Sequence, residues 1–306
     1  MKKWFWLLLL STGTVWILWV DAGKVKDRHE TKAMTAKNDV LSSDRVAGLT
    51  ETKKNDLPEK KNKVTADSNE KGFYTLRKYD HVREFFSRIS GPATLLCVKN
   101  NVPPAAVLGM AALESGWNRG YVGRITGNIM SLGARHNDPE LPALRLPRLK
   151  STGEILFDSL EIIKYSPGEL VWENRPPSLK KDYRPKPLAG TPYQLAYFKY
   201  HQPEKANAEV MNIRDFLTVF ISHNSRIAAY RQARHLMDSL VGVHGKQVLF
   251  EQHTVELFIF SIGGKPNSFN YRITWPGKVL SIVKGAGLTE LTKKLYTDNK
   301  QFNEVW

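Results

Sequence analysis

The sequence predicts a mainly α-helical (α+β) domain, preceded by an apolar leader and a polar linker. Three observations predict it. The stretch from Val102 to Trp117 opens on Pro103 and Pro104, runs through Ala, Leu and Met, and meets Gly116. That is a helix start, a run of good helix formers and a helix stop, in order. Ile213, Phe216, Leu217, Phe220 and Ile221 recur at helical spacing, and Gln247–Ile262 and Lys278–Leu288 are further apolar stretches of helical character. By contrast, the region from Arg119 to about Tyr193 is studded with Pro. Within it, Ser151–Glu154 followed by the apolar Ile155–Phe157 reads as a turn entering a strand.

Residues 1–22 place Lys2 and Lys3 ahead of an apolar run from Trp4 to Val20, the layout of an export signal. Val20-Asp21-Ala22 resembles a small-residue cleavage site, so a signal peptide removed after Ala22 is one reading. The run is also nearly long enough to span a bilayer, and its Trp residues suit the interfaces, which favours an uncleaved inner-membrane anchor. Either way the rest of the chain is expected in the periplasm or cell envelope. Residues 23–71 are rich in Lys, Asp, Glu, Thr, Ser and Asn, with almost no aromatic residues. Such a segment buries too little apolar surface to offset the entropy of ordering, so a disordered mixed-charge linker is expected. Its use would be reach, unless it is a remnant with no role.

The folded domain is expected over residues 72–306. Asp80 should cap a helix running from His81 towards Ile89, Gly91-Pro92 should break or kink it, and a second helical stretch should reach about Lys99. Cys97 is the single cysteine, which rules out an intrachain disulfide; it lies in an apolar helical run and reads as a buried, inert thiol. His223, His235 and His253 share no ligand spacing, and no Cys/His pattern suggests zinc, so neither a metal nor a cofactor is expected. A net charge of +15 points to an anionic partner. Because the basic residues are dispersed and no nucleic-acid-binding signature is present, nucleic acid is not the expected one.

Val107, Met110, Ala111 and Glu114 fall at i, i+3, i+4 and i+7, on one helix face. Glu114 therefore stands at the end of an apolar stripe. A carboxylate that is poorly solvated there is suited to donate a proton near neutral pH. It could equally cap the rim or pair with an Arg, and pattern alone leaves both open.

Phe85–Ala93, Val102–Pro104, Ala112–Trp117 (Ala-Leu-Glu-Ser-Gly-Trp) and Gly127–Ala134 (Gly-Asn-Ile-Met-Ser-Leu-Gly-Ala) follow one another in this order. Together they resemble the glucosaminidase family of peptidoglycan hydrolases, and within it the Bax-type proteins of bacterial envelopes. The resemblance spans roughly Gly72 to Leu288. It implies a lysozyme-like glucosaminidase domain with a small β-hairpin beside the cleft, in which Glu114 is the catalytic acid and Ser115 and Trp117 contact substrate. Asn128 matches the family's Asn and either contacts substrate or closes its own turn; Met130 and Ser131 stand where Phe and Gly are usual, which departs from the family's turn. A second acid, which glycosidases commonly use, is expected from the hairpin. Glu154 fits best, with Asp158, Glu161 and Glu173 as competitors, or the substrate's own acetamido group serves instead.

Tyr193–Tyr200 resembles a family strand, and Asn224–Arg234 resembles a Bax-type element; either Tyr230 and Arg231 line the groove or, as is commoner for a Tyr at a helix end, Tyr230 belongs to the core. Tyr271 or Trp275 would supply the family's cleft aromatic. The expected activity is that of an endo-β-N-acetylglucosaminidase acting on β-1,4 bonds of peptidoglycan glycan strands, whose stem-peptide carboxylates suit a basic protein. The alternatives are a lytic transglycosylase and a non-catalytic peptidoglycan-binding envelope protein.

Overall fold

The computed structural model describes residues 74–306. The leader and linker expected over residues 1–22 and 23–71 lie outside the described residues. Among the described residues no helix is long and apolar enough to cross a membrane. In chain order these residues form α1 (Asp80–Lys99), α2 (Pro104–Ser115), α3 (Tyr121–Thr126), β1 (Leu144–Leu149), α4 (Ser159–Ile162), β2 (Leu170–Arg175), α5 (Tyr197–Tyr200), α6 (Gln202–Asp215), α7 (Ala228–His244), α8 (Gln252–Ile262), α9 (Trp275–Ala286), α10 (Leu288–Thr297) and α11 (Phe302–Val305). The domain is mainly helical, with a small antiparallel sheet, as expected.

α1 runs unbroken through Gly91 and Pro92, against the expected break, and Asp80 is its first residue with Tyr79 at the cap position. A Pro inside a helix costs about 3 kcal/mol. Phe85, Phe86, Ile89 and Cys97 are each at most 1% exposed, and burying each large apolar side chain returns roughly 1.5–3 kcal/mol. Burial wins, and the helix continues.

α2 is the centre of the main core. Pro104 through Ala112 are all buried, so the helix has no wet side and the expected single stripe is not what it presents. Small residues make this possible. A Cβ on Gly109 would lie 2.8 Å from Val283 Cγ2 and 3.3 Å from Val279 Cγ1, so only the bare glycine lets α9 approach this closely. Gly116 ends α2 in the left-handed region (φ +57°).

The sheet pairs β1 with β2, from Leu144 opposite Arg175 to Leu149 opposite Leu170. The turn before Ile155 is present, but the expected strand over Ile155–Phe157 shrinks to one bridge, Ile155 to Arg148. Leu156 and Phe157 are both buried, which breaks the alternation a strand needs, and Asp158 then caps α4 by accepting from the Leu160 N–H. The strand expected at Tyr193–Tyr200 is replaced by α5. Tyr197 stacks on His201 with ring centroids 4.0 Å apart, an i,i+4 pair that only helical spacing brings together. α6 carries on into a π-helical turn, Phe216–Phe220, whose Phe216 and Leu217 are buried in the main core.

Candidate functional site

Glu114 sits at the last turn of α2, where the helix leaves the core. It lines two cavities that also share Asn270 and Arg272, of about 370 and about 260 Å³. Tyr230, Phe220 and Tyr271 line the larger, and Trp275 lines the smaller. Glu114 is the one carboxylate among the described residues on either wall.

The close α2–α9 packing at Gly109 aligns these helices antiparallel, so the start of α9 meets the end of α2. There Trp275 Nε1–H donates to Glu114 Oε1 at 2.7 Å. Trp275 is only 3% exposed. A Cβ on Gly263 would lie 2.2 Å from the indole Cε3 and Cζ3, so this glycine leaves the space the ring fills. Phe269 packs on the indole at 5.5 Å, and Phe216 meets Phe269 edge-on at 5.6 Å. The expected stacking platform is thus a buried donor that orients the acid, while Tyr271 is 69% exposed at the cavity rim. Tyr230 is buried at 4% exposure. Burial, with the negative charge of Glu114 nearby, pushes its phenol above the ordinary range, so it stands as a neutral proton donor. Arg231 does not share that wall; its Nη1 donates to the Ser225 carbonyl at 2.5 Å.

Three successive residues after α2 are left-handed: Gly116 (φ +57°), Trp117 (φ +55°) and Asn118 (φ +59°). For the two non-glycines this costs on the order of 1–2 kcal/mol each. The strain is held by a specific set of bonds. Ser115 Oγ donates to the Ala111 carbonyl at 2.7 Å and accepts from the Asn118 N–H at 2.8 Å. Asn118 Nδ2 donates to Glu209 Oε1 at 2.6 Å, and Arg88 Nε donates to Glu209 Oε2 at 2.6 Å. Ser115, expected at the substrate, therefore holds the turn. Trp117 is directed away from the Glu114 cavities, onto a separate cavity of about 800 Å³, and its indole N–H is buried with no acceptor among the described residues.

Glu154 lines that same separate cavity, pairing with Arg124 Nη1 at 3.2 Å. The structure does not bring it to the Glu114 cavities. Its competitors are also engaged: Asp158 with Lys199 and Tyr200, Glu161 with Lys199, and Glu173 with Arg148 and Arg175. Burial would raise the Asp158 carboxyl, but the hydrogen bonds from Lys199 and Tyr200 prevail and hold it below the usual range.

Asn128 is 4% exposed. Its amide donates to the Leu132 and Lys181 carbonyls at 2.8 and 2.9 Å and accepts from the Leu132 N–H at 2.8 Å. It closes its own turn. Ser131 keeps a left-handed backbone (φ +55°) and lines the Glu114 cavity. Cys97 is fully buried, which pushes its thiol pKa up. Sequence reasoning missed Gly109, Gly263 and Glu209. A glycine inside a predicted helix was the available signal for Gly109; the polar stretch around Glu209 carried none.

Neither a protein-family model nor a curated protein matches the sequence. Among solved structures, the catalytic domain of the autolysin Auto from Listeria monocytogenes is similar at 15% identity and a TM-score of 0.37, covering 69% of this chain and 87% of that one. A likeness at this level says nothing of activity.

Proposed function

We propose that this chain is an exported peptidoglycan hydrolase, an endo-β-N-acetylglucosaminidase in which Glu114 protonates the leaving glycosidic oxygen. One observation carries the reading: a solitary carboxylate at the meeting of two cavities, oriented by a buried indole N–H. Trp275 holds Oε1, which leaves Oε2 to carry the proton to the sugar. The four ordered sequence blocks that resemble glucosaminidases support the same residue in the same role.

The absence of a second carboxylate on these walls favours help from the substrate. As the glycosidic bond breaks and its oxygen takes the Glu114 proton, the acetamido oxygen bonds to the anomeric carbon. Water then opens that ring, with Glu114 taking the water's proton back. Tyr230, kept neutral by its burial, is placed to donate a hydrogen bond during either step.

The same solitary carboxylate favours one second reading, a lytic transglycosylase, in which the sugar's own hydroxyl replaces water. Mass spectrometry of fragments released from purified sacculi by the full-length chain separates them. Reducing N-acetylglucosamine ends are expected. Anhydro-muramic ends would select the transglycosylase, and bound sacculi with no soluble product would leave a binding protein.

A further inference from the structure

The cavity of about 800 Å³ beyond Trp117 belongs to no step above. Its walls carry four cationic side chains, Arg88, Arg119, Arg124 and Lys205, against two carboxylates, Glu84 and Glu154. The pairs do not cancel evenly. Arg88 is held by Glu209 and Arg124 by Glu154. Glu84 is exposed, and no ion pair joins it to Lys205 or Arg119 among the described residues. Lys205 is half-buried, and among the described residues no ion pair holds its ammonium, although Glu209 and Glu84 lie near enough to act on it. Burial, with the charges of Arg88 and Arg124, outweighs the opposing charges of Glu209 and Glu84 and holds its ammonium below the ordinary lysine range. An unpaired cation held out of water is costly unless something compensates it. The aromatic faces of Trp117 and Tyr121 stand on the same walls, surfaces suited to a sugar ring.

We propose that this cavity is an anion-recognition site, in which Lys205 and Arg119 take a carboxylate carried on a peptide-substituted sugar lying against Trp117. The peptidoglycan reading supplies the ligand's identity, a muramoyl residue with its stem peptide. The location follows from the turn at Gly116–Asn118, which sets Trp117 on one cavity and Glu114 on another within a single helix end. A strand whose sugar occupies the Glu114 cavities would thereby be read for its peptide substituent.

The test is calorimetric titration of the full-length chain with a soluble N-acetylmuramoyl dipeptide and with the same compound carboxyl-amidated. A charge-assisted hydrogen bond is worth about tenfold in affinity or more. Wild type should therefore bind the amidated form roughly tenfold more weakly. Lys205→Met should bind the carboxylated form more weakly by a similar factor and lose the preference. Because the substitution removes a half-buried charge that its surroundings disfavour on balance, its melting temperature should be no lower than that of wild type. Arg119→Ala, at an exposed side chain, gives the same test without touching the interior.

Unchanged affinity in both variants would overturn the site. So would equal displacement by inorganic phosphate, which would mark a nonselective oxyanion sink. Binding that depends on Lys205 in a chain that releases nothing from sacculi would sink the hydrolase reading and leave this site standing. Wall cleavage with Lys205-independent binding would do the reverse.

Discussion

The two sides of the α2 terminus treat charge in opposite ways. Around Glu114 the walls are aromatic or neutral apart from Lys180, Arg272 and Lys278, and no second acid stands on them among the described residues. Across the turn, one cavity carries both acids and bases; Arg124 pairs there with Glu154, and Arg88 is held by the buried Glu209, which does not line it. Those carboxylates are each engaged by a guanidinium. Glu114 instead accepts from the Trp275 indole N–H. Chain position does not separate these cases, because Glu114 and Trp117 are three residues apart and face different cavities.

The largest effect should come from Glu114→Gln. Removing a general acid lowers rate by roughly 10² to 10⁴, which turbidity loss of suspended sacculi would register while binding to them persists. Gly263→Ala ranks next. Its new Cβ would fall 2.2 Å from the indole ring, and such overpacking typically costs about 1–3 kcal/mol. Thermal melting should show that loss, and activity should fall with it because the ring cannot move without releasing Glu114.

Trp275→Phe keeps an aromatic ring on Phe269 but removes the N–H together with part of the indole's packing. We expect kcat to drop about tenfold, the lower end of a charge-assisted bond because Glu114 is partly exposed, with KM little changed. A rise in KM with unchanged kcat would instead mean that Trp275 binds sugar. Glu154→Gln should matter least. An exposed ion pair contributes about 0–1 kcal/mol, so melting and wall cleavage should stay near wild type.

The helices were legible where the chain speaks locally. Pro103 and Pro104 opened α2 and Gly116 closed it as read, and the spacing from Ile213 to Ile221 was indeed core. Readings failed where distant burial decided. Pro92 looked like a break until Phe85, Phe86 and Cys97 were seen to be fully enclosed. The resemblance of Tyr193–Tyr200 to a family strand implies an extended segment, yet the Tyr197–His201 stack requires a helix. The site itself was half legible. Glu114 stands out in its own helix, but the bond from Trp275 spans 161 positions and depends on two glycines whose importance is the space they leave. No local pattern encodes that.

The contrast between the two carboxylates can be tested in one experiment. Purified sacculi are digested side by side with full-length wild type, Glu114→Gln and Glu154→Gln, each checked by thermal melting, and the new reducing ends are quantified. The account predicts N-acetylglucosamine ends from wild type and Glu154→Gln at similar rates, and next to none from a well-folded Glu114→Gln. Equal release by Glu114→Gln, or its loss in Glu154→Gln alone, would contradict it.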